Sequence, residues 1–164
     1  MIARISGIEG ESIVDGIGLR AAVFFQGCPH NCLGCHNPNT HDANGGEARD
    51  MDELLSEILE NPLIDGITLT GGDPFMQAKA AAYLAAAARG VGLNVWTYTG
   101  YTFEELTAAD NVSWNTLIAE TDVLVDGRFI KAERTLDMPF VGSKNQRKID
   151  VAKTLASGEI TVIA

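Results

Sequence analysis

Basic charge is in short supply. The chain carries 12 Lys and Arg against 22 Asp and Glu, a formal net charge of −10. Phosphate-rich partners are drawn to basic surfaces, so neither nucleic acid nor an anionic membrane is expected as a partner. Long apolar runs are missing as well, and none approaches the ~20 residues that cross a bilayer. The start, Met1–Gly7, lacks the apolar stretch of a signal peptide. These absences point to the cytoplasm. Cysteine is confined to three positions, Cys28, Cys32 and Cys35. An odd, clustered set makes a poor disulfide framework, and a reducing compartment leaves such thiols free for metal. No internal repeat or linker divides the chain, so residues 1–164 read as a single domain with enough material for one core. A composition of 46% hydrophobic and 21% charged residues excludes a disordered chain.

What is present alternates between strand-like and helix-like segments. Leu19–Gln26 is an apolar run rich in strand formers that ends at Gly27, and residues 37–49 are turn chemistry throughout. Asp50 is placed to cap a helix whose Leu54, Leu55, Ile58 and Leu59 share one face, with Pro62 just past its end. Ile67–Thr70 reads as a short buried strand closed by Gly71-Gly72-Asp73-Pro74. The Ala-rich stretch 75–89 is a strong helix signal with Gly90 as its cap. Further strands are expected at Leu93–Thr99, Asp122–Asp126 and Glu159–Ala164, and short helices at Phe103–Leu106 and Trp114–Ala119. Such alternation implies a parallel sheet with right-handed crossovers, in about five strand–helix units. A closed eight-stranded barrel typically needs ~250 residues. The expected fold class is therefore α/β, an incomplete (partial) β/α barrel with parallel strands, with a doubly wound sheet as the other candidate. In either, the active site lies at the carboxyl ends of the strands. The cysteine loop, Gly71–Pro74, Thr97–Gly100 and Asp126–Arg128 all sit at such ends, which predicts one shared pocket.

Cys28-Pro29-His30-Asn31-Cys32-Leu33-Gly34-Cys35 is a C-x3-C-x2-C run. Three thiolates on one short loop hold three corners of an iron–sulfur cube and leave the fourth iron without a protein ligand. An iron left open in this way binds a small molecule and passes it an electron. The competing reading is a structural zinc site with His30, His36 or His41 as fourth ligand. Zinc sites usually draw C-x2-C pairs from separate parts of the chain. No second pair exists, so the spacing favours the cubane, whose irons sit close together.

After the next strand, Gly71 and Gly72 let the backbone approach a ligand closely. Backbone groups there suit an amino-acid moiety, with Asp73 positioning a nearby polar group. Alone the turn would be an ordinary βα connection; its place one unit beyond the cysteine loop gives it weight. His30 reads as a loop residue shaping the hydrogen bonds around the sulfurs, and His41 as exposed. Trp96, Tyr98 and Tyr101 serve equally as core residues or cofactor contacts. Lys144–Lys148 fits a solvated face as well as a surface for a partner or a ligand carboxylate.

The cysteine loop after one strand and the Gly-Gly-acid-Pro turn after the next resemble the radical S-adenosylmethionine superfamily. Further segments narrow the resemblance. These are Ser12–Arg20, Gln26–His30, Cys35-His36-Asn37, Trp96–Tyr101, Val123–Phe129 and Gly142–Arg147, which span most of the chain. Together they are similar to the family of activating proteins for anaerobic ribonucleoside-triphosphate reductase, with the activating enzymes of pyruvate formate-lyase as near relatives by pattern. Two departures stand out. Ile17 replaces a proline common in the Asp-Gly-x-Gly turn. Gly34 stands where the superfamily usually has an aromatic residue, so no side chain at 34 stacks on adenine; His36 is the candidate substitute, by its ring or its backbone.

The resemblance implies a 4Fe–4S cluster on Cys28, Cys32 and Cys35, with S-adenosylmethionine chelating the fourth iron. It implies cofactor contacts at Gly34, Cys35, His36, Gly71, Gly72, Asp73, Thr97, Thr99 and Asp126. The expected activity is reductive cleavage of S-adenosylmethionine to a 5′-deoxyadenosyl radical, which takes a hydrogen atom from a glycine of a partner glycyl radical enzyme. A flavodoxin- or ferredoxin-type electron donor is implied by the family alone. No Arg-Val-x-Gly-Tyr segment occurs in the chain, which fits the activator rather than the radical carrier. The alternatives are activation of pyruvate formate-lyase, action on a small molecule as in deazaguanine synthases, and a zinc-stabilised binding module.

Overall fold

Burial alternates over the first residues of the chain: Ala3 and Ile5 point inward from β1 (Ile2–Ser12). This strand pairs antiparallel with β2 (Arg20–Phe25) and, on its other edge, with β3 (Glu47–Asp50). The computed structural model describes residues 1–164. Beyond β2, the strands β4 (Gly66–Gly71), β5 (Asn94–Tyr98) and β6 (Val123–Asp126) add in parallel, and β7 (Arg147–Asp150) closes the far edge antiparallel. The result is one seven-stranded sheet in the order β3-β1-β2-β4-β5-β6-β7, with two free edges. It is an open α/β sheet with a parallel centre, consistent with the partial barrel expected.

Helices cover one face. These are α1 (Met51–Ile58), α2 (Ala78–Gly90), α3 (Phe103–Ala108), α4 (Val112–Ala119) and α5 (Val151–Ser157). Leu54, Leu84 and Leu117 from this layer meet Val23, Phe25, Ile67, Leu69, Val95 and Leu124 from the strands in one apolar core. Asp50 caps α1 as its position suggested, accepting from Asp52 N and Glu53 N. Leu59 lies past the end of that helix and is 41% exposed, so the buried face stops at Ile58. The Ala-rich helix begins at Ala78, after a 3-10 turn over Pro74–Gln77. Gly92, rather than Gly90, takes the left-handed turn that follows it. No helix is long and apolar enough to cross a membrane.

Alternate residues of the same strands face the other way, into the concave side. Arg20 is the largest commitment there, only 1% exposed. Its guanidinium donates to Thr68 Oγ1 (2.8 Å), Ile67 O (2.7 Å) and Ile17 O (2.8 Å) and lies over the Trp96 ring. Burial pushes its pKa down to about 10. Thr68 Oγ1 in turn donates to Asp15 O at 2.6 Å. The β1–β2 connection is thereby folded under the sheet, and its Val14 and Asp15 become part of the concave wall.

The Glu159–Ala164 strand is not formed as expected. That tail lies beside β7 with one bridge, Ile149 to Val162, and two hydrogen bonds, Asp150 N to Thr161 O and Ile163 N to Lys148 O, both 2.8 Å.

Candidate functional site

Backbone hydrogen bonds carry the sheet into the cysteine loop. Past the end of β4, Gly72 N donates to Phe25 O (2.9 Å) and Asp73 N to Gly27 O (2.8 Å). Gly27 N donates to Thr40 O (2.6 Å) and Cys28 N to His41 O (3.3 Å), which ties both ends of the loop together. Gln26, buried at 3% exposure, donates from Nε2 to Asn39 O and Asp42 O and so anchors the turn-rich stretch behind the cysteines. Arg4 does the same from β1, donating to the carbonyls of Asn44, Gly45 and Gly46.

The three free, half-buried thiols face one cavity of about 350 Å³. Gly71, Gly72, Thr99, Gly100 and Gly127 from three strand ends line it, together with His30 and His36. The four strand-end motifs therefore do meet, with Cys28, Cys32, Cys35, His36, Gly71, Gly72 and Thr99 of the anticipated site residues at the cavity wall. A broader hollow of about 470 Å³ lies elsewhere, and one of about 650 Å³ adjoins the thiol cavity through Val14, Asp15, His36 and Asn37; neither has a thiol in its walls.

Four anticipated cofactor contacts are placed otherwise. Asp73 is fully buried beneath the cavity, not on its wall. Its Oδ2 accepts from Thr99 Oγ1 (2.8 Å) and Gly100 N (3.0 Å) and stands 2.6 Å from His30 Nε2, while Oδ1 accepts from Phe75 N (3.0 Å). A carboxylate so occupied is an internal bolt between the cysteine loop and the ends of β4 and β5. Thr97 has the opposite parity to Tyr98, so it points into the helix layer, where its Oγ1 lies 2.9 Å from Thr121 Oγ1. Asp126 is 1% exposed and accepts from Phe103 N (2.8 Å) and Arg147 Nε (3.0 Å), joining α3 and β7. Gly34 is exposed and backs onto Phe129 and Lys131.

His41 is not simply exposed. It is half-buried with Nε2 3.3 Å from Cys35 Sγ, and Asn37 N donates to the same sulfur at 3.4 Å. Burial pushes the Cys28 thiol pKa up. The His36 ring stands edge-on to Phe129, with centroids 5.2 Å apart. The Lys144–Lys148 stretch divides: Lys144 is exposed, Arg147 pairs with Asp126 and Glu104, and Lys148 is buried with its ammonium 5.8 Å from the Phe140 ring.

Sequence reasoning gave no site role to Val14, Asp15, Phe140, Val141 or Gln146 and left Tyr98 open between core and cofactor contact; all six line the cavity. Val14, Asp15 and Gln146 lie in segments already singled out by resemblance, so a signal existed for them. Phe140 had none. It is held at φ +68 while Tyr98 Oη donates to its carbonyl at 2.7 Å.

Residues 14–149 match the family model for a 4Fe-4S single cluster domain. The anaerobic ribonucleoside-triphosphate reductase-activating protein of Vibrio cholerae serotype O1 is 34% identical over 142 residues, which cover 82% of this chain and 89% of that protein. The chain belongs to the family of anaerobic ribonucleoside-triphosphate reductase-activating proteins. The member from Enterobacteria phage T4 is also 34% identical, over 82% of this chain and 85% of its own. The pyruvate formate-lyase 1-activating enzyme of Escherichia coli K12 is 31% identical over 99% of this chain and 66% of that enzyme.

The residues present fit the iron–sulfur cluster of this family. Three unpaired thiols share one cavity wall, and no three His, Cys, Asp or Glu side chains, these thiols included, converge on a single ion-sized point. The volume falls at the lower end of the ~300–1,000 Å³ typical of small-ligand sites. Gly72 fixes how closely the β4 turn approaches the loop: a methyl group there would run into Gly27 O and stand 2.9 Å from Thr40 O. Both obstacles are backbone. Gly72→Ala is accordingly expected to cost about 1–3 kcal/mol or more. Thermal melting of the variant and its iron content after reconstitution check this; an unchanged melting temperature would refute it.

Proposed function

We propose that this chain is the radical-generating activator of an anaerobic ribonucleoside-triphosphate reductase. The observation that carries the reading is the meeting of the three thiols with the Gly71–Gly72 backbone on one cavity, in a chain of this family. Cys28, Cys32 and Cys35 hold a 4Fe–4S cluster, and S-adenosylmethionine binds beside it against Gly71, Gly72, Thr99 and His36. The cluster, when bound, supplies the electron that reductively cleaves S-adenosylmethionine, the chemistry by which a hydrogen atom is removed from a glycine of the partner reductase.

The chain's own residues do the rest. Asp73 holds His30, and with it the cysteine loop, against β5. Asn37 N and His41 Nε2 lie within hydrogen-bonding reach of Cys35 Sγ. Such bonds stabilise negative charge on sulfur and so set the potential at which the site accepts an electron. Phe129, Phe140 and Tyr98 wall the cavity and limit water around a reactive species. The open sheet edges leave lateral room for a loop of a large protein. The electron comes from a flavodoxin- or ferredoxin-type donor, the compartment is the cytoplasm, and residues 1–164 act as one domain.

The test is anaerobic reconstitution with iron and sulfide, followed by mixing with the reductase, S-adenosylmethionine and a reductant. A glycyl radical signal in electron spin resonance is expected. Its absence, with an intact cluster, overturns the reading, and a radical formed on pyruvate formate-lyase alone would transfer the chain to that relative's activity.

A further inference from the structure

Half of the chain's cations sit in one short stretch. Arg128, Lys131, Arg134, Lys144, Arg147 and Lys148 are six of the 12 Lys and Arg, and residues 127–148 set only Glu133 and Asp137 against them. This is an island of positive charge in a chain of net −10. Three of the six are committed. Arg128 pairs with Glu105, Arg147 with Glu104 and Asp126, and Lys148 is buried beside Phe140. Lys131, Arg134 and Lys144 are exposed, and no carboxylate lies within 4.0 Å of their charged nitrogens.

Local backbone gathers these three. Lys131 opens a 3-10 turn, Arg134 N donates to Lys131 O (3.2 Å), and Lys144 N donates to Glu133 O (2.9 Å) across a hairpin in which Arg134 bridges Ser143. The hairpin also exposes Ile130, Met138 and Leu136, the last at 90%. Its inner side supplies Phe129 and Phe140 to the cavity. Its outer side reaches the cysteine loop. The Lys131 stem packs on Gly34, between Cys32 and Cys35, so that a Cβ on Gly34 would stand 3.3 Å from Lys131 Cδ.

We infer that the Lys131, Arg134 and Lys144 face docks an acidic one-electron donor protein, with Lys131 bringing it against the cysteine loop at Gly34. This rests on the cluster reading above. Charge acts over ~8 Å at physiological salt, so the local sign outweighs the distant net charge. An acidic donor is repelled by most of this surface and attracted here. Electron-transfer encounters bury less than about 1,200 Å² and depend on charge for their association rate. Exposed cations around a few apolar side chains meet both requirements. The donor loses one electron, the cysteine-held centre gains it, and no covalent bond forms or breaks. The same face offered to the reductase would serve a larger, more permanent contact, for which three unpaired charges beside the loop give no particular advantage.

The test titrates an acidic flavodoxin into the chain, with and without reconstituted cluster, and follows reduction by flavodoxin hydroquinone in stopped flow. Arg134→Glu combined with Lys144→Glu is expected to weaken binding at least tenfold at low salt and to slow reduction by the same factor. The fall of the rate with added salt is expected to disappear. Photoreduced free flavin, which needs no docking face, should reduce wild type and variant equally. The milder pair Arg134→Gln and Lys144→Gln should fall between the two. Unchanged affinity for flavodoxin in both pairs overturns the inference. So does a variant that keeps flavodoxin but loses the reductase, which would assign the face to the protein substrate. Failure of free flavin to reduce an iron centre in the wild type overturns the cluster reading instead, and the titration of the cluster-free chain still decides the docking.

Discussion

Cys32→Ala is expected to drop the iron and sulfide of the reconstituted chain from about four of each, the content of a single 4Fe-4S cluster, to near zero. Cleavage of S-adenosylmethionine and the glycyl radical on the partner should vanish with them. The fold should survive. Cys32 is half-buried and its sulfur makes no hydrogen bond; only its carbonyl is used, accepting from Cys35 N at 3.2 Å. A substitution of that kind usually costs within about 0.5 kcal/mol. Metal analysis, far-ultraviolet circular dichroism and product chromatography on one sample separate the two effects. Methionine and 5′-deoxyadenosine released by the variant under anaerobic reduction would refute the ligand assignment. One zinc per wild-type chain, in place of iron, would restore the binding-module alternative.

The cysteine loop was legible because its chemistry is written in consecutive residues. The strand ends were legible for a related reason: β2, β4, β5 and β6 are buried on both faces and read as apolar runs closed by glycine. The edges were not. The first strand carries Gly7 and Gly10 and is bulged against β2, which breaks its alternation. The third, Glu47-Ala48-Arg49-Asp50, has charge where a strand signal would have apolar residues, as edge strands do. Only Ile149 marks the seventh. Within the site, sequence gave the residues their right neighbourhood and, for several, the wrong direction. Thr97 and Tyr98 share a motif, yet strand parity sends one to the helix layer and the other to the cavity wall. The His41 to Cys35 approach depends on a fold-back through the turn at Pro38–Thr40, which no spacing rule reports.

Asp73 carries the sharpest of these reversals, and its replacement has the second largest expected effect. Asp73→Ala should lower stability by roughly 3–5 kcal/mol, the range for removing one partner from a buried charged network. For a chain of this size that lowers the melting temperature on the order of 10 °C. The reason is local. Four donors now converge on one fully buried carboxylate: His30 Nε2, Thr99 Oγ1, Gly100 N and Phe75 N. Alanine leaves all four without their acceptor. Iron should be lost as well, because His30 lies between Cys28 and Cys32 and is the side chain through which the loop is fastened. A cofactor contact would behave differently, keeping its iron and its melting temperature while S-adenosylmethionine bound more weakly. Melting of the cluster-free variant and iron counts on the reconstituted one tell these outcomes apart. A double-mutant cycle with His30→Ala adds the pairwise term, expected at about 0.5–3 kcal/mol for groups in direct contact. Additive single effects would mean that the bolt does not hold the loop and that Asp73 acts through β5 alone.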